Sequence, residues 1–390
     1  MMAASPTPFQ ANVDDTVLDD LRDRLGRARF PDELEDAGWA YGTQRAYLQE
    51  LCDYWRDGFD WRAAEAHLNA FNQFTLPIDG IDLHFIHQRS PHEDATPLII
   101  SHGWPGSVFE FMKIIGPLSD PVAYGGDKAN AFHVVCPSLP GYGFSSAPRK
   151  PGFGIKQVAE VEMKLMAALG YDHYIAQGGD WGAVSSSWLG AIDAEHCKGV
   201  HLNMPLARRP KDVAPEKLTS GLTESDLVNL EAARAFNRNE TAYHRLQSTK
   251  PQSLGYGLHD SPVGLAAWIL EKFHRWSDCD GNVELQFTKD ELLANITLYW
   301  VTGTITSSMR LYYETTKAGH SGPPDQYVQT PTAVALFPKE LVLPPRRWAE
   351  NYFNIVRWTP MPRGGHFAAL EEPDMLVEDI RAFAQIFLSS

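Results

Sequence analysis

The sequence predicts an α/β protein with a doubly wound, mostly parallel sheet, and three observations support this fold class. Short apolar runs that suit buried parallel strands follow one another from residue 97 onward. Helical patterns lie between these runs. The alternation stops over residues 207–327 and then resumes. Alternating strands and helices are typical of a parallel sheet that helices cover on both faces.

The first roughly 75 residues read as helical, and apolar residues at helical spacing predict three helices, at residues 14–27, 43–55 and 61–74. These helices carry few apolar residues, so residues 1–75 are predicted to be an N-terminal helical segment that wraps the core. Residues 74–88 then alternate between apolar and polar, with Asp79 and Gly80 at the centre. This pattern predicts a β-hairpin.

Apolar runs of strand length occur at residues 97–101, 132–136, 174–177 and 199–202. A helical pattern at residues 155–169 lies among them, as a doubly wound sheet requires. After the interruption, two more strands and a last helix are predicted at residues 332–336, 354–358 and 375–387. Residues 76–206 and 328–390 are therefore predicted to form the core.

The intervening residues 207–327 read as mostly helical and aromatic. Ligand sites of doubly wound sheets lie outside the carboxyl ends of the strands. We therefore expect this helical insertion to be a lid over that edge.

Residues 178–182 (GGDWG) follow a predicted strand and precede a helix start that is rich in small residues. They have the small-x-nucleophile-x-small form of the strained turn in α/β-hydrolases. The sequence therefore predicts the α/β-hydrolase fold, with Asp180 at the tip of this turn. Taken alone, the turn equally suits an aspartate that caps the helix.

Residues 102–106 (HGWPG) follow the strand that ends at Ser101. In this fold, the loop after that strand supplies one backbone N–H of the oxyanion hole, and the residue after the nucleophile supplies the other. This assigns the two donors to Trp104 and Trp181. Alone, the segment reads as an ordinary glycine-rich turn, and His102 is expected to be structural.

His366 follows the last predicted strand, where the catalytic histidine of this fold belongs. An acid between nucleophile and histidine must orient the imidazole. Glu340 directly follows the strand at residues 332–336, whereas Glu350 lies in a predicted helix. A single loop histidine or surface glutamate means little, but Asp180, Glu340 and His366 in this order form a joint signal.

No cofactor is expected. Residues 140–145 (PGYGFS) lack the third glycine of a dinucleotide loop and open no helix. The four cysteines are scattered, with no CxxC pair and no zinc-ligand spacing, so free thiols in a reducing cytoplasm are predicted. The net charge of −15 disfavours nucleic acid and anionic membranes as partners.

An aspartate nucleophile restricts the reaction. When a carboxylate attacks a saturated carbon, it forms an ester whose carbonyl belongs to the enzyme, and water can then attack that carbonyl. This chemistry suits epoxides or alkyl halides. An epoxide oxygen leaves as an alkoxide and needs a proton donor, whereas a halide needs N–H donors from Trp or Asn.

Several motifs extend along nearly the whole chain, at residues 27–32 (RARFPD), 102–107 (HGWPGS), 137–145 (PSLPGYGFS), 178–182 (GGDWG), 260–267 (DSPVGLAA), 298–305 (LYWVTGTI) and 364–369 (GGHFAA). In these motifs the chain resembles the microsomal epoxide hydrolase family, which includes the juvenile-hormone epoxide hydrolases. The resemblance implies an enzyme that converts epoxides to diols through an ester on Asp180, with water activated by His366.

The resemblance also carries the acid onto Glu340, in the matching Phe-Pro-x-Glu, and the family's two lid tyrosines onto Tyr243 and Tyr312. Position alone does not separate Tyr312 from Tyr313, and core packing is the alternative role for any lid tyrosine. Two other functions remain open. A haloalkane dehalogenase would release halide, and a non-catalytic ligand-binding hydrolase fold would be expected to have lost a triad member.

The location is predicted to be cytoplasmic. Residues 1–12 have no basic region and no apolar run, and no apolar stretch reaches the length of a membrane span. Residues 1–12 do not resemble the membrane-anchoring helix of some members of that family, so no membrane anchor is expected. The expected partners are a small apolar epoxide and water, and the sequence leaves open whether the chain forms a homo-oligomer.

Overall fold

The computed structural model describes residues 5–207, 209, 218–319 and 324–388. Parts of the predicted lid (residues 208, 210–217 and 320–323) and the two chain ends therefore lie outside the described residues. In the described part, nine strands form one sheet: β1 (Thr7–Phe9), β2 (Gln73–Ile78), β3 (Ile81–Gln88), β4 (Thr96–Ser101), β5 (Phe132–Pro137), β6 (Tyr174–Gly178), β7 (Cys197–Leu202), β8 (Val328–Leu336) and β9 (Phe353–Pro360).

The strand order is β1-β2-β3-β5-β4-β6-β7-β8-β9. The pairs β1–β2, β2–β3 and β3–β5 are antiparallel, and the remaining five pairs are parallel. The mostly parallel sheet is thus confirmed. Every residue of β5 and β6 is buried, as expected for central strands that helices cover on both faces.

The helices fall into four groups along the chain. The N-terminal segment contains α1 (Asp15–Gly26), α2 (Arg45–Asp57) and α3 (Trp61–Asn69). The first part of the core contains α4 (Met112–Ser119), α5 (Ile155–Ala168) and α6 (Asp180–Ile192). The insertion contains α7 (Glu224–Asn239), α8 (Ala242–Thr249), α9 (Pro251–Asp260), α10 (Pro262–Trp276), α11 (Lys289–Thr302) and α12 (Ile305–Ala318). The core ends with α13 (Arg346–Ala349), α14 (Ala368–Glu371) and α15 (Pro373–Leu388).

The N-terminal segment differs from its prediction in two places. It includes a strand, β1, which pairs with β2 at the edge of the sheet. Its third helix ends at Asn69, not at Phe74, because the chain from Gln73 onward pairs with β3. Helical apolar spacing continues past Asn69 in the sequence, but ladder hydrogen bonds to a neighbouring strand prevail over local spacing. The predicted hairpin is confirmed, with Asp79 and Gly80 at φ 51° and 79° as a type I′ turn requires.

The N-terminal segment is hydrogen-bonded to the insertion as well as to the sheet edge. The indole N–H of Trp55 on α2 donates to Thr297 Oγ1 on α11 at 2.9 Å. The hydroxyl of Tyr54 donates to Asp290 Oδ1 on the same helix at 2.8 Å. The segment therefore links the lid helices to the rest of the molecule.

The four cysteines, Cys52, Cys136, Cys197 and Cys279, are free and buried, as predicted. Among the described residues, no helix combines the length and the apolar character that crossing a bilayer requires. Within the same residues, no three His, Cys, Asp or Glu side chains gather as ligands of a metal ion.

Candidate active site

Asp180 stands at the junction of β6 and α6 with a φ of 48°. Residues with side chains seldom adopt this left-handed region, and such strain is concentrated at functional sites. The glycines around Asp180 have a steric reason. A Cβ at Gly178 would overlap the backbone of Gly182, and a Cβ at Gly182 would overlap the carbonyl of Ser101. Positions 178 and 182 must therefore be glycine, because a larger residue does not fit in this tight turn.

Of the two predicted oxyanion donors, Trp104 already bonds to Asp180. Its backbone N–H donates to Asp180 Oδ1 at 2.8 Å. Trp181 is the second residue of α6. Backbone amides in the first turn of a helix have no acceptor within the helix, so the N–H of Trp181 is free for such a role.

His366 lies between two carboxylates. Its Nδ1 is 2.7 Å from Glu340 Oε1, and its Nε2 is 3.5 Å from Asp180 Oδ2. The loops after β6, β8 and β9 supply these three residues, and all three meet at the carboxyl edge of the sheet. The carboxylate of Glu340 fixes a proton on Nδ1, which leaves Nε2 to face Asp180. The structure therefore brings together the three side chains that their positions along the chain selected, with His366 in contact with both carboxylates.

Two opposing effects act on the imidazole of His366. Burial disfavours its charged form, but the charge of Glu340 and the hydrogen bonds with Asp180 and Glu340 outweigh burial. The pKa of His366 therefore lies well above its ordinary 6.5. Any loss of charge on Asp180 would lower this pKa.

The loop that carries His366 is held by acids that the sequence analysis did not assign to it. Glu371 accepts hydrogen bonds from the backbone N–H groups of Phe367 and Asp278, at 2.9 and 2.8 Å. The carboxylate of Asp278 accepts from Gly364 N at 2.9 Å. Both oxygens of the Glu371 carboxylate therefore bind backbone N–H groups, and it is Glu340 that contacts the ring of His366. No local pattern in the sequence indicated that Asp278 holds this loop, because Asp278 is distant in sequence from Gly364.

Tyr243 on α8 and Tyr312 on α12 are buried side by side, with ring centroids 6.1 Å apart. The ring of Tyr243 stacks on Trp104 at 5.4 Å, and that of Tyr312 meets Trp181 edge-on at 4.8 Å. Burial, followed by the charge of Asp180, raises the pKa of both phenols well above 10, so both are protonated. Both lid tyrosines therefore pack against the two predicted oxyanion residues.

The buried hydroxyl of Tyr312 makes no hydrogen bond of normal geometry among the described residues, although it lies near enough to the Tyr243 hydroxyl and the Trp181 indole for these contacts to affect the pKa values of the two phenols. An unpaired buried donor loses roughly 1–3 kcal/mol relative to a satisfied one, so such groups require an explanation. A ligand oxygen beside Asp180 would supply the missing acceptor.

A small cavity of about 20 Å³ lies beside Asp180 and His366 on the core side. This volume holds one water molecule. The side chain of Glu110 also lines it, whereas the two lid tyrosines do not. The lid face and the water-sized cavity are therefore two separate environments around the same carboxylate.

Glu110 lines both this small cavity and a larger one of about 350 Å³. Its carboxylate occupies the space beside Gly106, where a Cβ would overlap it. Burial raises the pKa of Glu110 to about 8, with the charge of Asp180 adding to the rise and that of His366 opposing it. Glu110 was not predicted from the sequence, where the glycine four residues earlier was the only local indication of it.

His102 is structural, as expected. Its Nε2 accepts a hydrogen bond from Leu139 N at 3.2 Å, and its Nδ1 lies 3.0 Å from the carbonyl of Gly103. Burial lowers the pKa of His102 to about 4, so the ring is neutral and joins two loops.

Comparison with known proteins places the chain among characterised relatives. A family model described as "Epoxide hydrolase N terminus" matches residues 6–111, and one described as "alpha/beta hydrolase fold" matches residues 96–373. Epoxide hydrolase 1 of Sus scrofa is 41% identical over 96% of this chain and 88% of its own length.

Two solved structures are similar over almost the whole chain. The crystal structure of juvenile hormone epoxide hydrolase from the silkworm Bombyx mori has a TM-score of 0.88 and 32% identity, and the match covers 99% of this chain and 96% of that one. The structure of Aspergillus niger epoxide hydrolase has a TM-score of 0.87 and 35% identity, and the match covers 98% and 96%.

Proposed function

This chain belongs to the epoxide hydrolase family of the α/β-hydrolase fold and is an epoxide hydrolase; from that premise, we propose that it turns epoxides into vicinal diols through an ester on Asp180. The fold class and the family, both predicted from the sequence, are thereby confirmed. The roles of individual residues are our proposal. They rest on the contacts around Asp180.

In the first step, Asp180 attacks an epoxide carbon as the carbon–oxygen bond breaks. The leaving oxygen is a poorly stabilised alkoxide, so it needs proton donors at neutral pH. Tyr243 and Tyr312 are protonated phenols on the lid side of Asp180. One observation carries the proposal: the Tyr312 hydroxyl is buried and unpaired within the described residues. An epoxide oxygen provides the acceptor that this donor lacks.

In the second step, water attacks the ester carbonyl of Asp180. Ester formation removes one of the two charges that raise the pKa of His366. The imidazole then loses its proton more readily and becomes a base when a base is needed. The water-sized cavity beside Asp180 and His366 is the site we propose for the attacking water. Trp104 N–H, already 2.8 Å from Asp180 Oδ1, and Trp181 N–H stabilise the oxyanion.

Isotope labelling tests the covalent step. With enzyme in excess over an epoxide such as styrene oxide, a single turnover in heavy-oxygen water is expected to label the peptide that contains Asp180. The diol of that first turnover is expected to carry no label. Label in the first diol would mean that water attacks the epoxide directly, and the ester would then be ruled out.

Haloalkane dehalogenation is a second candidate activity, favoured by one observation. The indole N–H groups of Trp104 and Trp181 are buried and have no hydrogen-bond partner in the described part of the chain. Such donors suit a leaving halide. Halide release from bromoalkanes, measured beside diol formation from epoxides of matched chain length, separates the two activities. We expect diol formation to be the faster.

We also propose that the enzyme acts in the cytoplasm and needs no cofactor. The four free, buried cysteines support this location, because oxidising compartments favour disulfides. Fractionation of cells that express the full chain tests the location. Loss of activity on dialysis against a chelator, restored by a metal, would contradict the proposal that the enzyme needs no cofactor.

A further inference from the structure

A buried cation lies beside one of the two lid tyrosines. Lys272 is 5% exposed, and its Nζ stands 4.9 Å from the ring centroid of Tyr243. The same ammonium is 5.2 Å from the ring of Trp268 and 5.9 Å from that of Trp276. These tryptophans stand four residues before and after Lys272 on α10, so one helix face presents all three side chains.

The helix pair holds this arrangement in place. The indole N–H of Trp268 on α10 donates to Gln247 Oε1 on α8 at 3.0 Å. Gln247 follows Tyr243 by one helical turn. Lys272 also pairs with Glu271, which is more exposed than Lys272 itself. The cation is therefore fixed over the phenol, and its own counter-ion lies nearer to solvent.

The electrostatic environment of Tyr243 explains what such a cation could do. Burial raises the pKa of this phenol first, and the charges of Asp180, Glu271 and Glu340 raise it further, whereas the nearby hydroxyl of Tyr312 lowers it. Burial and the three charges oppose the release of a proton. A cation over the ring face acts in the opposite sense, because it stabilises the phenolate and withdraws electron density from the hydroxyl.

Only one of the two lid tyrosines has a cation over its ring among the described residues. Across the described residues, no lysine or arginine side chain stands over the ring of Tyr312 as Lys272 does over Tyr243. The ring of Tyr312 instead packs edge-on against the rings of Trp104 and Trp181. The pair is therefore electrostatically asymmetric.

We propose that Lys272 is a positioning residue that makes Tyr243 the stronger proton donor, so that Tyr243 protonates the leaving oxygen while Tyr312 orients it by a hydrogen bond. This inference rests on the proposed ester mechanism. As the bond from carbon to Asp180 forms and the epoxide bond breaks, the hydroxyl proton of Tyr243 passes to the leaving oxygen. The phenolate, stabilised by Lys272, regains through solvent the proton that His366 takes from the attacking water.

Single-turnover kinetics in a His366→Gln background, where the ester accumulates, measure this step directly. Lys272→Met is expected to slow alkylation of Asp180 about thirtyfold, which corresponds to the roughly 2 kcal/mol of a desolvated cation–π contact. Lys272→Arg, which keeps the charge, is expected to recover most of the rate. Lys156→Met is the matched control, because Lys156 stands 5.7 Å from the ring of Trp188 and pairs with Glu160 away from the site.

A purely structural role for Lys272 would give a different pattern. Lys272→Met is expected to lose its effect when Tyr243 is already Phe and to keep it when Tyr312 is Phe. An equal loss in both backgrounds, or no loss in either, overturns the proposal. If Lys272→Met folds poorly, the double variant Glu271→Gln/Lys272→Met is measured in its place, because it removes both charges of the ion pair and leaves no unpaired carboxylate. If no ester forms even with Lys272 intact, the covalent mechanism fails and not this inference.

Discussion

The two faces of Asp180 are built from different kinds of contact. On the core side, Asp180 accepts from Trp104 N–H and faces His366, whose other ring nitrogen bonds to Glu340. On the lid side, aromatic rings pack closely, and the Tyr312 hydroxyl has no partner within the described residues. The core side thus has its hydrogen bonds in place before substrate arrives, whereas the lid side has a donor that awaits one. This difference supports our proposal that the core side serves hydrolysis and the lid side serves ring opening.

Replacing His366 by Gln is expected to have the largest effect, and on hydrolysis alone. Without the base, water attacks the ester slowly, and turnover should fall by about 10⁴-fold or more. Ring opening should continue, because the donors of the lid side are untouched. Mass spectrometry of the intact protein should find the enzyme plus one substrate mass. Equal loss of both steps in a folded variant would remove the distinction between the two faces.

The double change Tyr243→Phe and Tyr312→Phe is expected to have the complementary effect. It should slow alkylation of Asp180 by about 10²–10⁴-fold, the usual contribution of a positioned acid. Hydrolysis of an ester already formed should hardly change. Stopped-flow measurement separates the two rates. Tyr313→Phe is the matched control, because Tyr313 is the next residue on α12 and lies outside the pair. Alkylation at nearly the wild-type rate would show that the wrong tyrosines were assigned.

Glu340→Gln is expected to be milder than the loss of His366. The amide oxygen can still accept from Nδ1 of His366, so the ring orientation survives, but the charge that stabilises the imidazolium is lost. Hydrolysis should slow towards the lower end of the about 10²–10⁴ that a base contributes. The pH profile of that step should move to lower pH, because Glu340 raises the pKa of His366. Glu350→Gln, at a surface ion pair with Arg346, is the control.

The smallest expected effect is on stability, at Glu110. Its pKa is raised from 4.5 to about 8 in the folded protein. Between these values the unfolded carboxyl ionises while the folded one keeps its proton, so the fold loses stability as pH rises through that window. Glu110→Gln removes this loss. The Tm of the variant relative to wild type should therefore be higher at pH 8 than at pH 5.

Glu291→Gln tests whether the pH dependence of the Tm is specific to Glu110. Glu291 lines the larger cavity with Glu110, but it pairs with Lys113 at 2.7 Å and does not line the small one. Its replacement should leave the relative Tm unchanged between the two pH values. A similar change in both variants would attribute the effect to the larger cavity and not to the carboxyl of Glu110.

The parts of the site that were predicted from sequence all follow strands. Asp180, Glu340 and His366 come after β6, β8 and β9, and parallel strands bring their carboxyl ends to one edge. Strand order and motif spacing therefore suffice to bring the three residues together. The lid tyrosines were different, since the helical pattern did not separate Tyr312 from its neighbour and only resemblance selected it.

The sequence by itself determined the α/β architecture, the strained turn at Asp180 and the partners of that turn, because each is encoded in local spacing and in glycines that nothing larger can replace. The tertiary structure alone decided the rest. Glu110 reaches the site through the space beside Gly106, and Lys272 reaches Tyr243 because α8 and α10 pack together. Both are titratable side chains that packing brings close to residues distant in sequence, and electrostatic effects depend on distance and burial that no local pattern records.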